Sequence, residues 1–316
     1  MLISTASGRP TGDDMTVSKG GFALALGCFD GVHPGHAALF RALAEHSGDK
    51  KRAVWTFSPP REGELCPVKG KPLIVSFEQK LSLFKEHEID YAFLYDFPEV
   101  CSLSCEEFVD RILVEECGCG LAVCGYNFTF GSRAAGNAET LTRLLARHGI
   151  RTIVVQNVTV NGLSVSSAAI RAALAEGKME KAELLLGRSY TVTAPVISGR
   201  RLGRELGFPT VNQHFFHGAA VPRKGVYAAV CSVDGVEYPA VTNVGVRPTV
   251  SGGSDEVTAE THIIGFSGDL YGRDFSVSLK HFMRPETTFD GREELTRAVL
   301  ADIALAKKLY KEKINR

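Results

Sequence analysis

The chain has 316 residues, of which 44% are hydrophobic, so it is long enough for two globular domains and too apolar to be disordered. Its 36 Lys and Arg residues balance its 36 Asp and Glu residues, and this neutrality argues against a nucleic acid or an anionic membrane as the partner. We expect small-molecule substrates.

The chain carries no targeting or membrane-spanning pattern. Residues 1–21 are too polar for a signal peptide, and no later run reaches the roughly 20 apolar residues of a membrane helix. We therefore expect a cytoplasmic protein whose eight cysteines are mainly reduced thiols. The nearest approach to a zinc pattern is weak, because no second well-spaced pair or nearby histidine accompanies it. Its members are Cys101, Cys105, Cys117 and Cys119.

The first half of the chain alternates short apolar runs with helical patterns, from residue 21 to about residue 156. GFALALGC, RAVWTF, YAFLYDF, LAVCG and TIVVQ predict strands, and the segments between them predict helices, the first over residues 34–46. This alternation is typical of βαβ units around a parallel sheet. We predict an α/β, Rossmann-like domain over residues 1–187.

The pattern changes after two short helical stretches near residues 167–187. Closely spaced β runs follow, with Gly, Pro and Asp at the turns: SYTVTAPVI, GVYAAVCSV, VEYPAVTNVG, VTAETHIIGF and DFSVSLKHFM. Few helices separate them, which predicts a small antiparallel β-barrel, and EELTRAVLADIALAKKLYKEK predicts a C-terminal helix that closes it. We predict this second domain over residues 188–316.

The strongest N-terminal signal is GCFDGVHPGH, residues 27–36. A predicted strand ends at Cys28, and His33 and His36 stand three residues apart where Pro34 favours the first turn of a helix. A helix N-terminus directs free N–H groups toward an anion, and two imidazoles there can donate to phosphate oxygens as charge develops. The alternative is a surface loop that happens to contain two histidines.

HxGH occurs in a whole superfamily of nucleotidyl-transferring domains, which includes class I aminoacyl-tRNA synthetases. A synthetase would need a second, lysine-bearing loop, and GKMEKA at residues 177–182 fits the solvated face of an amphipathic helix better. Further motifs narrow the choice. In chain order they are TFSPP, GYNFTFG, VSSAAIR, LLGRSY, GRRLGRELGFPTVN, GVYAAV, TNVGVRPTV, ETHIIGF, DLYG and FMRPE.

With these motifs in this order, the chain resembles the bacterial bifunctional riboflavin kinase/FMN adenylyltransferase family over nearly its full length. The resemblance implies a Rossmann-like HxGH nucleotidyltransferase domain that adenylylates FMN to FAD. It implies a second, β-barrel domain with a C-terminal helix that phosphorylates riboflavin to FMN. ATP would be the co-substrate of both reactions, and Mg²⁺ the metal cofactor.

In the first domain, the resemblance implies that His33, Gly35 and His36 bind the ATP phosphates and that Arg171 contacts the triphosphate. Asn127 would lie close to the nucleotide and the flavin. Further cofactor contacts are implied for Gly27, Phe29, Asp30 and Phe128.

GYNFTFG, residues 125–131, also carries information of its own. Phe128 and Phe130 stand between glycines at a predicted strand end, where aromatic rings can offer a stacking surface to a planar ligand. Burial in an ordinary core turn is the alternative.

Three positions depart from the family pattern. Pro60 stands where the family usually has a histidine, and Ala168 and Ala169 replace a threonine and a frequently polar residue. Each lost hydrogen bond to a phosphate would weaken binding by roughly 1.5–3 kcal/mol. A riboflavin kinase with a weakly active or degenerate adenylyltransferase domain is therefore the main alternative.

In the second domain, GRRLGRELGFPTVN matches neither the Walker loop nor the dinucleotide fingerprint. Its exposed N–H groups could form a different phosphate-binding nest, and the candidates are Gly199, Gly203, Arg204 and Gly207. Thr210 and Asn212 supply hard oxygen donors two residues apart, which on a strand point the same way and suit Mg²⁺ beside phosphate. A turn entering a strand is the alternative.

By resemblance, Glu260 in ETHIIGF is the base that accepts the proton of the 5′-hydroxyl of riboflavin, a role that a carboxylate can fill as the phosphoryl group arrives. From the residues alone it would be an outward strand residue. The resemblance also implies that Tyr271 lies near the adenine and Arg284 near the flavin. A flavin-binding regulator that senses FMN is the non-enzymatic alternative.

Overall fold

The computed structural model describes residues 2–4, 19–59, 71–197, 203, 206–247 and 256–314. The chain divides into two compact units, Met1–Ser167 and Ala168–Arg316. The domains predicted over 1–187 and 188–316 divide it at a later point, and that boundary stays a prediction. Among the helices within the described ranges, none is both long and apolar enough to cross a membrane.

A six-stranded sheet forms the centre of the first unit. Its strands are β1 (Leu2–Ser4), β2 (Phe22–Leu26), β3 (Lys51–Phe57), β4 (Tyr91–Tyr95), β5 (Cys119–Gly125) and β8 (Arg151–Val155). Two small ladders join β6 (Thr129–Phe130) to β7 (Gly136–Asn137) and β9 (Thr159–Val160) to β10 (Leu163–Ser164). The order across the sheet is β1-β4-β3-β2-β5-β8, with every neighbouring pair parallel. The predicted Rossmann-like α/β fold is confirmed.

Helices connect these strands, and side-chain caps account for several of their starts. They are α1 (Pro34–His46), α2 (Phe77–Glu86), α3 (Phe97–Val100), α4 (Cys105–Glu107), a π-helical continuation (Phe108–Glu116), a 3₁₀ turn (Ser132–Ala134) and α5 (Ala138–Ala146). At α2, the hydroxyl of Ser76 accepts from the N–H of Gln79, whose side chain accepts from the N–H of Ser76. This reciprocal cap satisfies N–H groups that have no partner within the helix.

Apolar side chains bury both faces of the parallel sheet. Successive residues of a strand point to opposite faces, so Leu24 and Leu26 of β2 join one buried cluster while Ala23 and Ala25 join the other. Two-sided burial explains why these strands are continuous apolar runs in the sequence. Since β2, β5 and β8 are neighbours, the segments that follow their carboxyl ends meet at one edge of the sheet.

The second unit is an antiparallel barrel preceded by two helices, α6 (Ser167–Glu176) and α7 (Met179–Leu186). Its strands are β11 (Tyr190–Pro195), β12 (Thr210–His214), β13 (Gly225–Val233), β14 (Val236–Arg247), β15 (Glu256–Ile263) and β16 (Asp274–Arg284). The order is β11-β16-β13-β14-β15-β12. The edges meet where the N–H of Ile197 donates to the carbonyl of Asn212 at 2.9 Å. The predicted antiparallel barrel is confirmed.

The C-terminal helix α8 (Arg292–Ile314) covers part of the outer face of this barrel. Its Ile303 and Ala306 share a buried cluster with Val226, Ala228 and Val241 of β13 and β14. Val241 therefore points outward, and so do the residues two positions away on β14 and those paired directly with them on β15. This outer face carries the candidate kinase residues.

Helix α7 packs against β16 and β11 of the barrel. Its buried side chains are Met179, Ala182, Leu185 and Leu186. Lys280 of β16 donates to the carboxylate of Glu183 at 2.7 Å and also contacts the hydroxyl of Ser189. By these contacts α7 belongs with the second unit.

Candidate active sites

The loop between β2 and α1 has an unusual backbone conformation. Phe29 and Val32 have φ values of 52° and 39°, a region that residues with a side chain rarely adopt, and Gly31 has a φ of 86°. The turn ends at His33, which caps α1: its Nδ1 accepts from the N–H of His36 at 3.3 Å. A loop strained in this way is typical of a binding site.

The two imidazoles predicted to act on phosphate lie together at the start of α1. The rings of His33 and His36 stack with centroids 3.7 Å apart and planes 12° apart. Gly35 leaves room for the ring of His33, because a Cβ at that position would lie 3.0 Å from its Cε1. The HxGH spacing thus joins two imidazoles and a helix N-terminus in one place, as expected for an anion site.

Phe29 and Asp30, predicted as cofactor contacts, stabilise this loop through packing and hydrogen bonds. The Phe29 side chain is fully buried and packs edge-on against Phe84 at 5.6 Å. The carboxylate of Asp30 accepts from the N–H of Ile74 at 2.9 Å, and its carbonyl accepts from the hydroxyl of Ser167 at 2.8 Å. Their contacts with a ligand stay predictions.

A cavity of about 920 Å³ opens beside the two histidines. That volume is in the range of small-molecule sites. Seven of the residues predicted as ligand contacts line it, together with polar groups that follow β8, such as Gln156 and Asn157. The seven are Gly27, His33, Gly35, His36, Asn127, Phe128 and Phe130.

GYNFTFG follows β5 at the same cavity. Asn127 is exposed, and a Cβ at Gly125 would lie 3.1 Å from its Oδ1, so the glycine leaves room for the amide. Phe128 and Phe130 stack with centroids 5.8 Å apart, but Phe130 is only 7% exposed and belongs to the core. Phe128 is partly buried, and its ligand contact stays a prediction.

Arg171, Ala168, Ala169 and Pro60 are the remaining positions that the sequence connects with adenylyl transfer. Arg171 stands on α6 with Ala168 and Ala169, in the second unit, and its triphosphate contact stays a prediction. Pro60 lies outside the described residues.

The four cysteines with the weak zinc spacing are free thiols. Burial raises the pKa of Cys119 to about 12 and that of Cys117 above its usual range, which favours neutral thiols over thiolate ligands. Within the described ranges, no group of three or more His, Cys, Asp or Glu residues is arranged to hold a metal ion.

The predicted residues Thr210, Asn212 and Glu260 form a row across the outer face of the barrel, and Asn243 extends this row onto β14. Asn212 of β12 and Asn243 of β14 are both paired directly with Glu260 of β15, so all three side chains emerge on one face. Thr210 lies two residues before Asn212, and its hydroxyl donates to Oε1 of Glu260 at 2.7 Å. Strand register has therefore assembled the hydroxyl, the amide and the carboxylate that the motifs predicted.

These donors fit a hard cation. A hydroxyl, an amide oxygen and a carboxylate are the oxygen ligands that Mg²⁺ accepts beside phosphate and water. Asn212 is only 6% exposed whereas Glu260 is exposed, so the amide is held in place and the carboxylate can be reached from solvent.

The glycine-rich loop before β12 is described in part. Gly203 accepts from the N–H of Phe208 at 2.7 Å, and a Cβ at Gly203 would lie 2.4 Å from the carbonyl oxygen of Phe208. Gly207 has a φ of +85°, which favours glycine. Gly199 and Arg204 lie outside the described residues, and phosphate binding by this loop stays a prediction.

Tyr271 and Arg284 differ in how freely they can meet a ligand. Tyr271 is 48% exposed. The guanidinium of Arg284 is held by Asp302 of α8, with Nη2 at 2.7 Å from Oδ2, and lies 5.6 Å from the Phe289 ring. Arg284 therefore ties β16 to α8, and its flavin contact stays a prediction.

The residues alone did not point to one further pair. Nδ2 of Asn243 donates to Oε1 of Glu286 at 3.1 Å, which brings a second carboxylate beside the row. Both residues lie within motifs that carry the resemblance, TNVGVRPTV and FMRPE, but only the barrel register brings them together.

Comparison with known proteins covers both halves of the chain. A family model described as FAD synthetase matches residues 16–169, and one described as riboflavin kinase matches residues 186–310. A bifunctional riboflavin kinase/FMN adenylyltransferase from Pseudomonas fluorescens is 35% identical over 92% of this chain and 93% of that protein. One from Bacillus subtilis (strain 168) is 33% identical over 88% of this chain and 89% of that protein.

A solved structure is similar along the whole fold. It is described as a macrolide-efflux protein from Streptococcus pneumoniae, and it matches with a TM-score of 0.83 and 27% identity. The match covers 97% of this chain and 99% of that one.

Proposed function

The chain belongs to the bifunctional riboflavin kinase/FMN adenylyltransferase family, and from that membership we propose that it phosphorylates riboflavin to FMN and adenylylates FMN to FAD. ATP is the co-substrate of both reactions. The kinase reaction belongs to the barrel, and the adenylyl transfer to the α/β sheet. The substrates are small molecules, and the protein acts in the cytoplasm without nucleic acid or membrane partners.

The row of Thr210, Asn212 and Glu260 is the observation that supports the kinase reaction best. Glu260 accepts the proton of the 5′-hydroxyl of riboflavin as the oxygen attacks the γ-phosphorus of ATP. The hydroxyl of Thr210, 2.7 Å from the carboxylate, keeps that carboxylate in one orientation. Thr210 and Asn212 would hold Mg²⁺, and the bound ion would supply positive charge beside the transferred phosphoryl group.

The adenylyl transfer is proposed for the cavity beside His33 and His36. Attack of the FMN phosphate on the α-phosphorus of ATP builds negative charge on the α-phosphate and on the departing pyrophosphate. The imidazoles and the start of α1 stabilise that charge, which is the main contribution that a protein makes to phosphoryl and nucleotidyl transfer. Arg171 contributes a further positive charge to the triphosphate.

Matches to both family models support the bifunctional function over a kinase with a degenerate adenylyltransferase domain. The direct test is chromatography of the products after the purified protein has been incubated with riboflavin, ATP and Mg²⁺. We expect FMN first and FAD later. FMN alone would favour the degenerate alternative, and no product at all would favour a flavin-binding regulator.

Two controls assign the products to the proposed sites. Glu260→Gln supplied with FMN and ATP should still form FAD, since the base acts only in the kinase reaction. A chelator of divalent cations should stop FMN formation, and excess Mg²⁺ should restore it. FMN formation that continues at full rate in the chelator would remove the metal from the kinase site.

A further inference from the structure

Glu286 is a second carboxylate at the kinase row for which the proposed mechanism has no use. It follows β16, is exposed, and its Oε1 accepts from Nδ2 of Asn243 at 3.1 Å. Asn243 in turn is paired with Glu260 across β14 and β15. Side chains paired in this way have Cβ atoms about 4.5–5.5 Å apart. A substrate that contacts the base Glu260 is therefore also within reach of Asn243.

The backbone beneath this carboxylate is shaped to admit it. A Cβ at Gly245 would lie 2.0 Å from Oε1 of Glu286 and 3.0 Å from Nδ2 of Asn243. Gly245 has no positive φ, so its conformation does not require glycine. The missing side chain instead leaves the space in which the Glu286 carboxylate meets the Asn243 amide.

The order of groups across the row separates a phosphate side from an acceptor side. Thr210 and Asn212 on β12 lie on one side of Glu260, and Asn243 on β14 lies on the other. In phosphoryl transfer the attacking and leaving oxygens are roughly in line, so the carbon chain of the attacking alcohol extends away from the phosphate donor. With Mg-ATP held on the β12 side, the acceptor chain extends over β14.

The chemistry of the pair suits a polyol. A carboxylate only accepts hydrogen bonds, so the amide must present its NH₂ to Glu286, which leaves the amide oxygen for a hydroxyl donor. The second oxygen of Glu286 adds another acceptor. Two such acceptors, held beside the base, match a chain that carries several neighbouring hydroxyl groups.

From this geometry we infer that Asn243 and Glu286 bind the ribityl hydroxyls next to the one that is phosphorylated, and so select acceptors with a polyhydroxylated chain. The inference rests on the proposed kinase function. It assigns the pair to substrate specificity and leaves proton transfer to Glu260.

The test compares two acceptors in the full-length enzyme. One is riboflavin, and the other is a flavin with a 5-hydroxypentyl chain, which keeps the reacting hydroxyl and lacks the other three. The parent should prefer riboflavin in kcat/KM by about tenfold or more, the factor expected for the loss of hydrogen bonds to a charged group. Glu286→Ala should raise the KM for riboflavin by about tenfold, leave the KM for ATP unchanged, and remove most of the preference.

Gly245→Ala offers a second way to move the carboxylate without deleting it. Its methyl group would displace the end of a flexible side chain, so the fold should persist while the preference for riboflavin falls. The double variant Gly245→Ala/Glu286→Ala should be no worse than the more affected single variant, because both act on one contact. Glu293→Ala, at an exposed glutamate in the first turn of α8, is the matched control and should leave both acceptors unaffected.

The outcomes separate the inference from the function on which it rests. A parent that forms no FMN would refute the proposed kinase. A parent that forms FMN while Glu286→Ala retains its full preference, or loses activity equally with both acceptors, would overturn the role of the pair.

Discussion

Two core substitutions, one on α7 and one on α5, test whether α7 contributes to the stability of the barrel. Leu185 on α7 and Leu145 on α5 are both fully buried leucines within helices. We expect Leu185→Ala to destabilise the barrel, since α7 packs on β11 and β16, and Leu145→Ala to destabilise the unit built on the parallel sheet. A boundary at 187/188 predicts instead that both substitutions affect the first domain.

The expected size of each effect follows from burial. Deleting the side chain of a fully buried leucine costs about 2–5 kcal/mol, and in units of this size each kcal/mol lowers Tm by about 2–4 °C. Shifts of about 10 °C are therefore expected. Helix propensity contributes little to either shift, because leucine and alanine are both strong helix formers.

The assay measures the two activities separately after heating. Each variant is held at a series of temperatures and cooled, and its formation of FMN from riboflavin and of FAD from supplied FMN is then measured. Leu185→Ala should lower the half-inactivation temperature of the kinase only, and Leu145→Ala that of the adenylyltransferase only. Hydrogen exchange of peptides from β13 and β5 provides a readout that does not depend on activity.

Two results would refute this reasoning. If Leu185→Ala lowers the stability of FAD formation and leaves FMN formation unchanged, α7 is part of the first domain. If either substitution shifts both activities equally, the two units do not unfold independently.

Three further predictions concern the sites. His36→Ala should reduce FAD formation by about 10²–10³-fold and leave FMN formation nearly unchanged, measured by chromatography of both products; unchanged FAD output would remove this imidazole from the reaction. Glu260→Gln should lower the kinase kcat by about 10²-fold or more. Asn212→Ala should raise the Mg²⁺ concentration that is needed for the half-maximal rate. If Asn212→Ala needs the same Mg²⁺ concentration as the parent, Asn212 is not a metal ligand. Because burial raises the pKa of Cys119 to about 12, iodoacetamide at neutral pH should label partly exposed Cys101 and leave Cys119 unlabelled until the protein unfolds, as peptide mass spectrometry can establish.

Much of the fold could be predicted because its two halves have different local patterns. In the first unit both faces of the sheet are covered, so the strands are apolar runs, and the connections from β2 to β8 contain helices. In the barrel the strands follow one another at short intervals. The boundary between the two domains stays a prediction, because α7 has an ordinary amphipathic pattern that does not indicate which sheet it covers.

The candidate sites could be predicted where their geometry is local. His33 and His36 stack because residues three apart lie on the same side of a helix start, and Thr210 and Asn212 share a face because residues two apart do so on a strand. Phe29 shows the limit of such reasoning. It lies within the same motif, yet its backbone has a positive φ and its ring is fully buried, which residue spacing does not reveal.

The contact between Asn243 and Glu286 could not be predicted, because no short-range spacing in the sequence connects the two residues. Asn243 reaches Glu260 only through the register of β14 with β15, and Glu286 reaches Asn243 only because β14 has a glycine at position 245. The groups that act on phosphate thus come from short motifs, whereas the groups inferred to select the acceptor come from distant strands. An acceptor pocket assembled in this way can change through a single residue, such as Gly245, without disturbing the base or the metal ligands. Specificity for the polyol chain can therefore vary independently of phosphoryl transfer.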